Sequence, residues 1–123
     1  MNTMSRGIHI LGDLQECDLS EFVLHKNNLT LLKEEISEQI KKQGLTELGN
    51  FYHFFNKNAV TAVIALAESH ISFHTWPEDR IVNLDIFVCN YSKDQSLSAK
   101  NIFKYLTKNV FKCKKLEQKI IYR

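Results

Sequence analysis

Hydrophobic positions recur along this chain with two different periods, and the periods divide it into elements. Leu29, Leu32, Ile36 and Ile40 repeat at spacings of three and four, with Lys33, Glu34, Glu38 and Lys41 on the other side. That stripe predicts an amphipathic helix stopped near Gly44. Gly7 to Leu14 is a short apolar segment bounded by polar residues and predicts a first strand, which leads into a loop holding Glu16, Cys17 and Asp18. From Leu48 to Phe55, Val60 to Ala67, Ile71 to Thr75 and Val82 to Cys89 the β-branched and aromatic content rises, while Asn, Lys, Asp and the single Pro77 punctuate the segments between. Four strands in succession are expected there. Ile102, Phe103, Leu106 and Val110 predict a second helix after the cap candidates Ser96 and Ser98, and Leu116 to Tyr122 a last strand.

The resulting order, βαββββαβ, is not the regular strand and helix alternation of a doubly wound sheet. It predicts an α+β fold: a two-layer sandwich of a mostly antiparallel sheet with both helices on one face. Such a sheet leaves its other face bare, and pairing with a second copy is the natural way for a small domain to cover it, so a homodimer is expected; a sheet with one solvated face is the alternative.

Composition narrows the function classes. At 123 residues and 44% hydrophobic, the chain fits one domain, 1–123, with a modest core. Its 16 basic and 14 acidic residues are interspersed, without the basic stripe that neutralises phosphates, so nucleic acid is not an expected partner. The longest apolar run, Ala59 to Ala67, is too short to span a bilayer, and the first residues lack a hydrophobic signal core. No membrane association and a cytoplasmic location are the expectation. Cys17, Cys89 and Cys113 are an odd count without paired metal-ligand spacing, which predicts free thiols and no metal site.

The stretch Ala67 to Asn90, AESHISFHTWPEDRIVNLDIFVCN, concentrates Glu68, Ser69, His70, Ser72, His74, Trp76, Glu78 and Cys89. Ile71 and Phe73 alternate against His70, Ser72 and His74, so amphipathicity explains part of the pattern. Extended geometry puts His70, Ser72 and His74 on one face.

At these residues the chain resembles the bacterial S-adenosylmethionine decarboxylases of the short, pyruvoyl-dependent type. Their cleavage-site pattern is close to AESH, a hydrophobic residue, Ser or Thr, another hydrophobic residue, then HTWPE, and Ala67 to Glu78 matches it almost without a break. The resemblance extends back through Ala59, Val60 and Thr61, forward to Asp85, Phe87 and Cys89, and to Gly7, His9, Asp13, Cys17 and Asp18 near the N-terminus. This chain departs from the pattern at Asn90, Val88 and Ala62, where Gly, Thr and Gly are common.

The resemblance implies self-cleavage between Glu68 and Ser69 into residues 1–68 and 69–123. Ser69 would attack the Glu68 carbonyl and end as a pyruvoyl group, the self-made cofactor. It implies that His74 serves the elimination step, a task suited to an imidazole with an ordinary pKa of about 6.5. Thr61 would assist the ester-forming step, and Cys89 would donate the proton that replaces CO2. Phe55 would face the adenine and Glu78 accept from the ribose hydroxyls of S-adenosylmethionine. Two other readings stay open at this point. One keeps the fold and the pyruvoyl group but takes arginine or ornithine as substrate. The other is an uncleaved, noncatalytic relative that binds a ligand or regulates a partner.

Overall fold

A computed structural model of the chain describes residues 6–20, 26–55, 59–90 and 93–123, and of residues 26–28 the backbone only. The elements are β1 (Gly7–Gln15), α1 (Lys26–Lys42), β2 (Glu47–Phe54), β3 (Val60–Leu66), β4 (Ser69–Trp76), β5 (Ile81–Cys89), α2 (Ser96–Tyr105) and β6 (Lys115–Tyr122). A single π turn, Leu106–Val110, extends α2. The six strands form one sheet in the order β2-β3-β4-β5-β1-β6. Every neighbouring pair is antiparallel. β2 to β5 are therefore a simple meander, and β1 is the strand that closes on β5 and offers its other edge to β6.

Side chains alternate across the sheet because the strand period is two. Ile8, Ile10 and Leu14 of β1, Ile64 of β3, Phe73 of β4 and Leu84 and Ile86 of β5 fall on the same face and are fully buried or nearly so. They share one core with Leu32, Ile36 and Ile40 of α1 and with Ala99, Ile102 and Phe103 of α2. Both helices thus lie on one face, as the α+β expectation had it. Each fully buried aliphatic or aromatic side chain contributes about 1.5–3 kcal/mol, so this face holds the fold. Gly12 is required where α2 crosses β1: a Cβ there would sit 2.7 Å from the Phe103 ring.

The other face is different. Phe51, Val63 and Trp76 on it are 64%, 48% and 47% exposed, and among the described residues no helix packs over it. Among the described residues, too, no helix is long and apolar enough to cross a membrane.

The start of α2 departs from the sequence expectation. Ser96 and Ser98 do not cap it; the residue before the helix is Gln95, whose side chain makes no capping bond. Asp94 Oδ1 accepts the Ser96 amide at 2.9 Å, and Asn90 Oδ1 accepts the Gln95 amide at 2.8 Å. An ionised carboxylate is a stronger acceptor for orphan amides than a hydroxyl, and its pKa is lowered by that Ser96 backbone bond first. Ser98 is left to donate to the Gln43 carbonyl at 3.1 Å, which ties α2 to the end of α1.

Candidate active site

Leu66 and Ser69 are paired across the β3–β4 hairpin, so Ala67 and Glu68 form its tight turn. Glu68 has φ +59°, a left-handed conformation that costs a non-glycine residue about 1–2 kcal/mol. The bond that follows it carries Ser69. Cys89, the last residue of β5, lies beside this turn: its amide donates to Ser69 Oγ at 2.8 Å, and its thiol donates to Glu68 Oε2 at 3.8 Å. The serine oxygen is therefore held by a backbone group that the sheet itself fixes.

Arg6, Glu68, Ser69, His70, Phe87 and Arg123 line a hollow of about 500 Å³ at this end of the sheet. Here His70, the residue after the serine, stands edge-on to His9 with ring centroids 6.0 Å apart and 5.8 Å from Phe87. Burial pushes the His70 pKa below its ordinary value, and the charge of His9 adds to the effect. His9 Nε2 is buried with no hydrogen-bond partner. A hollow of similar size, about 440 Å³, opens between α2 and β6, but Ile10, Lys100, Phe103, Lys104 and Leu116 are among its walls and no histidine, cysteine or carboxylate is.

His74 lies five residues further along β4 and pairs with Thr61 rather than with the turn. At about 3.3 Å per residue this places it roughly 16 Å from Ser69. His74 Nδ1 and Thr61 Oγ1 are 2.9 Å apart, and the His74 side chain is exposed. Phe55 follows β2 at the same end, its ring 4.4 Å from that of His53, the residue paired with Thr61. Trp76 Nε1 donates to Asn83 Oδ1 at 2.7 Å, and Asn83 Nδ2 donates to Asp13 Oδ1 at 2.9 Å. Glu78 is exposed in the turn between β4 and β5.

The residues singled out from sequence thus fall into two groups. Glu68, Ser69 and Cys89 come together; Phe55, Thr61, His74 and Glu78 gather at the opposite end of the same hairpin. A dense cluster in sequence becomes two clusters because an extended strand spreads consecutive residues. His70, Ser72 and His74 do share one face, as alternation requires.

Sequence reasoning passed over Arg6 and Arg123, and named Phe87 only as part of the resemblance, without a role at the site. The arginines reach the hollow through long-range pairing, with the Gly7 amide donating to the Arg123 carbonyl at 2.8 Å and the Asn90 amide to the Arg6 carbonyl at 2.6 Å. No local pattern announces that. The Arg123 guanidinium lies over the Phe87 ring, 5.6 Å from its centroid.

Comparison with known proteins adds independent findings. The model of the family described as S-adenosylmethionine decarboxylase matches residues 8–123. The chain is 36% identical over 117 residues to the S-adenosylmethionine decarboxylase proenzyme of Sulfurihydrogenibium sp. (strain YO3AOP1), covering 95% of this chain and 81% of that protein. It is 40% identical over 83 residues to the corresponding proenzyme of Archaeoglobus fulgidus, covering 68% of this chain and 70% of that protein. Its fold matches the crystal structure of the adenosylmethionine decarboxylase from Aquifex aeolicus VF5 with a TM-score of 0.81 at 26% identity, over 98% of this chain and 92% of that one.

Proposed function

The chain belongs to the S-adenosylmethionine decarboxylase family, and on that premise we propose that it cuts itself between Glu68 and Ser69, carries the resulting pyruvoyl group at position 69 and removes CO2 from S-adenosylmethionine. The product is the aminopropyl donor of spermidine synthesis. One observation carries the reading: Ser69 Oγ is held by the Cys89 amide at 2.8 Å, next to a Glu68 whose backbone is left-handed.

Ser69 Oγ attacks the Glu68 carbonyl carbon, and the peptide nitrogen leaves as the new ester forms. The Glu68 backbone is released from its unfavourable φ once the bond after it opens. A base then takes the Ser69 Cα proton; the Cβ–Oγ bond breaks, Glu68 departs with a free carboxylate, and residue 69 becomes dehydroalanine. Tautomerisation and addition of water expel the nitrogen as ammonia and leave a ketone. The site fits such a group: position 69 opens into the hollow bounded by His70, Phe87 and Arg123, and the Cys89 thiol lies 3.8 Å from Glu68 Oε2 in the adjoining turn. The pyruvoyl group supplies an electron sink for the charge left when CO2 departs. The Cys89 thiol holds the proton for the former α-carbon.

His74 is the base that the family resemblance assigns to the elimination, yet in one protomer it stands roughly 16 Å from Ser69. A two-fold pairing of open faces about an axis that runs across the strands would bring one copy's Ser69 end over the other's His74 end, twice, because a two-fold contact is reciprocal. The exposed Phe51, Val63 and Trp76 give that face apolar area to bury. We therefore read the working form as a homodimer of cleaved protomers, with Thr61 orienting His74, and with Phe55 and Glu78 meeting the nucleoside of a substrate bound at the partner's residue 69.

An intact-mass spectrum tests the reading: residues 1–68 and a pyruvoyl-blocked 69–123 are expected, and a stable full-length chain would overturn self-processing. Ser69→Ala and His74→Ala chains should each remain uncut, the latter accumulating an ester that hydroxylamine cleaves. Produced together, they should yield a 69–123 fragment bearing His74→Ala, since only a mixed dimer pairs an intact Ser69 with an intact His74. Absence of that fragment would place the base within the protomer. Release of CO2 from S-adenosylmethionine, and not from arginine or ornithine, tests the substrate.

A further inference from the structure

Cys17 and Cys113 are 96 positions apart in the chain, yet their sulfurs lie 2.9 Å from each other. Two backbone hydrogen bonds bracket them, from the Asp18 amide to the Phe111 carbonyl at 3.0 Å and from the Lys114 amide to the Glu16 carbonyl at 3.3 Å. The residue before each cysteine is left-handed, Glu16 at φ +52° and Lys112 at φ +49°, so both backbones bend at the point where they aim a sulfur across the gap. A third segment braces the pair. The Cys17 amide donates to the Arg80 carbonyl at 3.0 Å, and Arg80 Nε donates to the Cys17 carbonyl, also at 3.0 Å. A disulfide has a length of about 2.05 Å, so closing it here needs a sulfur movement of under about 1 Å.

We propose that Cys17 and Cys113 form a reversible disulfide, a redox-controlled staple that leaves Cys89 untouched. Cys17 belongs to residues 1–68 and Cys113 to residues 69–123, so in the cleaved enzyme the bond becomes a covalent tie between the two fragments. The bond itself follows from the geometry alone; its role as a tie rests on the proposed cleavage.

The chemistry balances with a peroxide as oxidant. Cys17 is fully buried, whereas Cys113 is partly exposed and is the sulfur the oxidant reaches. The bond to Cys17 and burial hold the Cys113 pKa up, so its proton must leave as it attacks; the O–O bond breaks, leaving a sulfenic acid on Cys113 and releasing one oxygen as water. Cys17 then attacks the Cys113 sulfur and the S–O bond breaks. Two electrons pass from the sulfurs to the peroxide, and the two thiol protons leave with two molecules of water. The hydrogen bond shared with Cys113 lowers the Cys17 pKa, and the Arg80 charge favours the thiolate further. The attacking group of the second step is thereby prepared. Dithiol reductants reverse the bond.

The test uses two forms of the protein. In the Ser69→Ala chain, which stays whole whatever the fate of the cleavage proposal, peroxide should lower the mass by about 2 Da and leave only Cys89 open to alkylation in denaturant, all three thiols returning with dithiothreitol. In the wild-type enzyme, the same oxidation should hold residues 1–68 and 69–123 together in a non-reducing denaturing gel and let them part on reduction. Cys113→Ser should abolish both effects. Three alkylatable thiols after peroxide, or a linked peptide containing Cys89, would overturn the proposal. An uncut wild-type chain that still loses about 2 Da would leave the bond standing and remove only its role as a tie.

Discussion

The two ends of the β3–β4 hairpin carry different halves of the proposed site. At the Ser69 end, the reacting oxygen is held by a backbone amide of the neighbouring strand, beside a hollow walled by aromatic and basic side chains. At the other end, Thr61 and His74 hold each other at 2.9 Å on an open face. The difference is one of preorganisation. Sheet pairing positions the proposed nucleophile inside one protomer, while the proposed base has an oriented ring but no reacting partner within reach in that protomer; in the proposed dimer a second surface brings it one.

The sharpest way to break the comparison is at the first end. Ser69→Ala should abolish cleavage entirely, giving a single full-length mass, because no hydroxyl remains to attack Glu68. Cys89→Ala comes next: the portion that still processes should release CO2 on the order of 10² to 10⁴ times more slowly per pyruvoyl group. Counting per pyruvoyl group keeps turnover separate from maturation. A rate equal to wild type would leave Cys89 as a packing residue that donates only its amide.

At the second end the effects should be smaller. Thr61→Val keeps the shape but removes the partner of His74 Nδ1. A lost hydrogen bond of about 1 kcal/mol corresponds to roughly fivefold slower cleavage, followed as the rate of fragment appearance. The urea midpoint should hardly move, since both side chains are only partly buried or exposed. Unchanged cleavage would show that His74 needs no orienting hydroxyl.

The smallest effect concerns pH and returns to the first end. The folded-state pKa of His70 is lowered by burial first and by the His9 charge second. The unfolded chain therefore binds this proton before the native one does as pH falls below about 6.5. Its contribution should be flat above that value, and stability should decline through the window below it. Urea midpoints at about pH 7.5 and about pH 5.5 should differ more for wild type than for His70→Gln. Equal slopes would mean that another group carries the acid sensitivity.

The order of elements was legible in the sequence because each period is a property of neighbouring residues. Leu32, Ile36 and Ile40 mark a buried helical stripe, and Val82, Leu84, Ile86 and Val88 a strand with one buried face, whatever they pack against. The cap of α2 was less legible: Ser96 has the right residue type, yet the Asp94 carboxylate two positions earlier takes the amide. The chemical stretch was legible as a list of reacting groups but not as an arrangement.

Local periodicity thus specified which segments are strands, which face of each meets the helices, and which side chains are available for chemistry. Tertiary pairing settled the distances. β4 separates Ser69 from His74 along its length, β5 returns Cys89 to Ser69, and β1 pairs with both β5 and β6, which brings Arg6 and Arg123 to the serine. The loop after β1 and the segment before β6 then set Cys17 against Cys113. Periodicity is read over a few consecutive residues, whereas strand order and register are chosen by how distant segments jointly bury one face, and no short stretch of chain contains that choice.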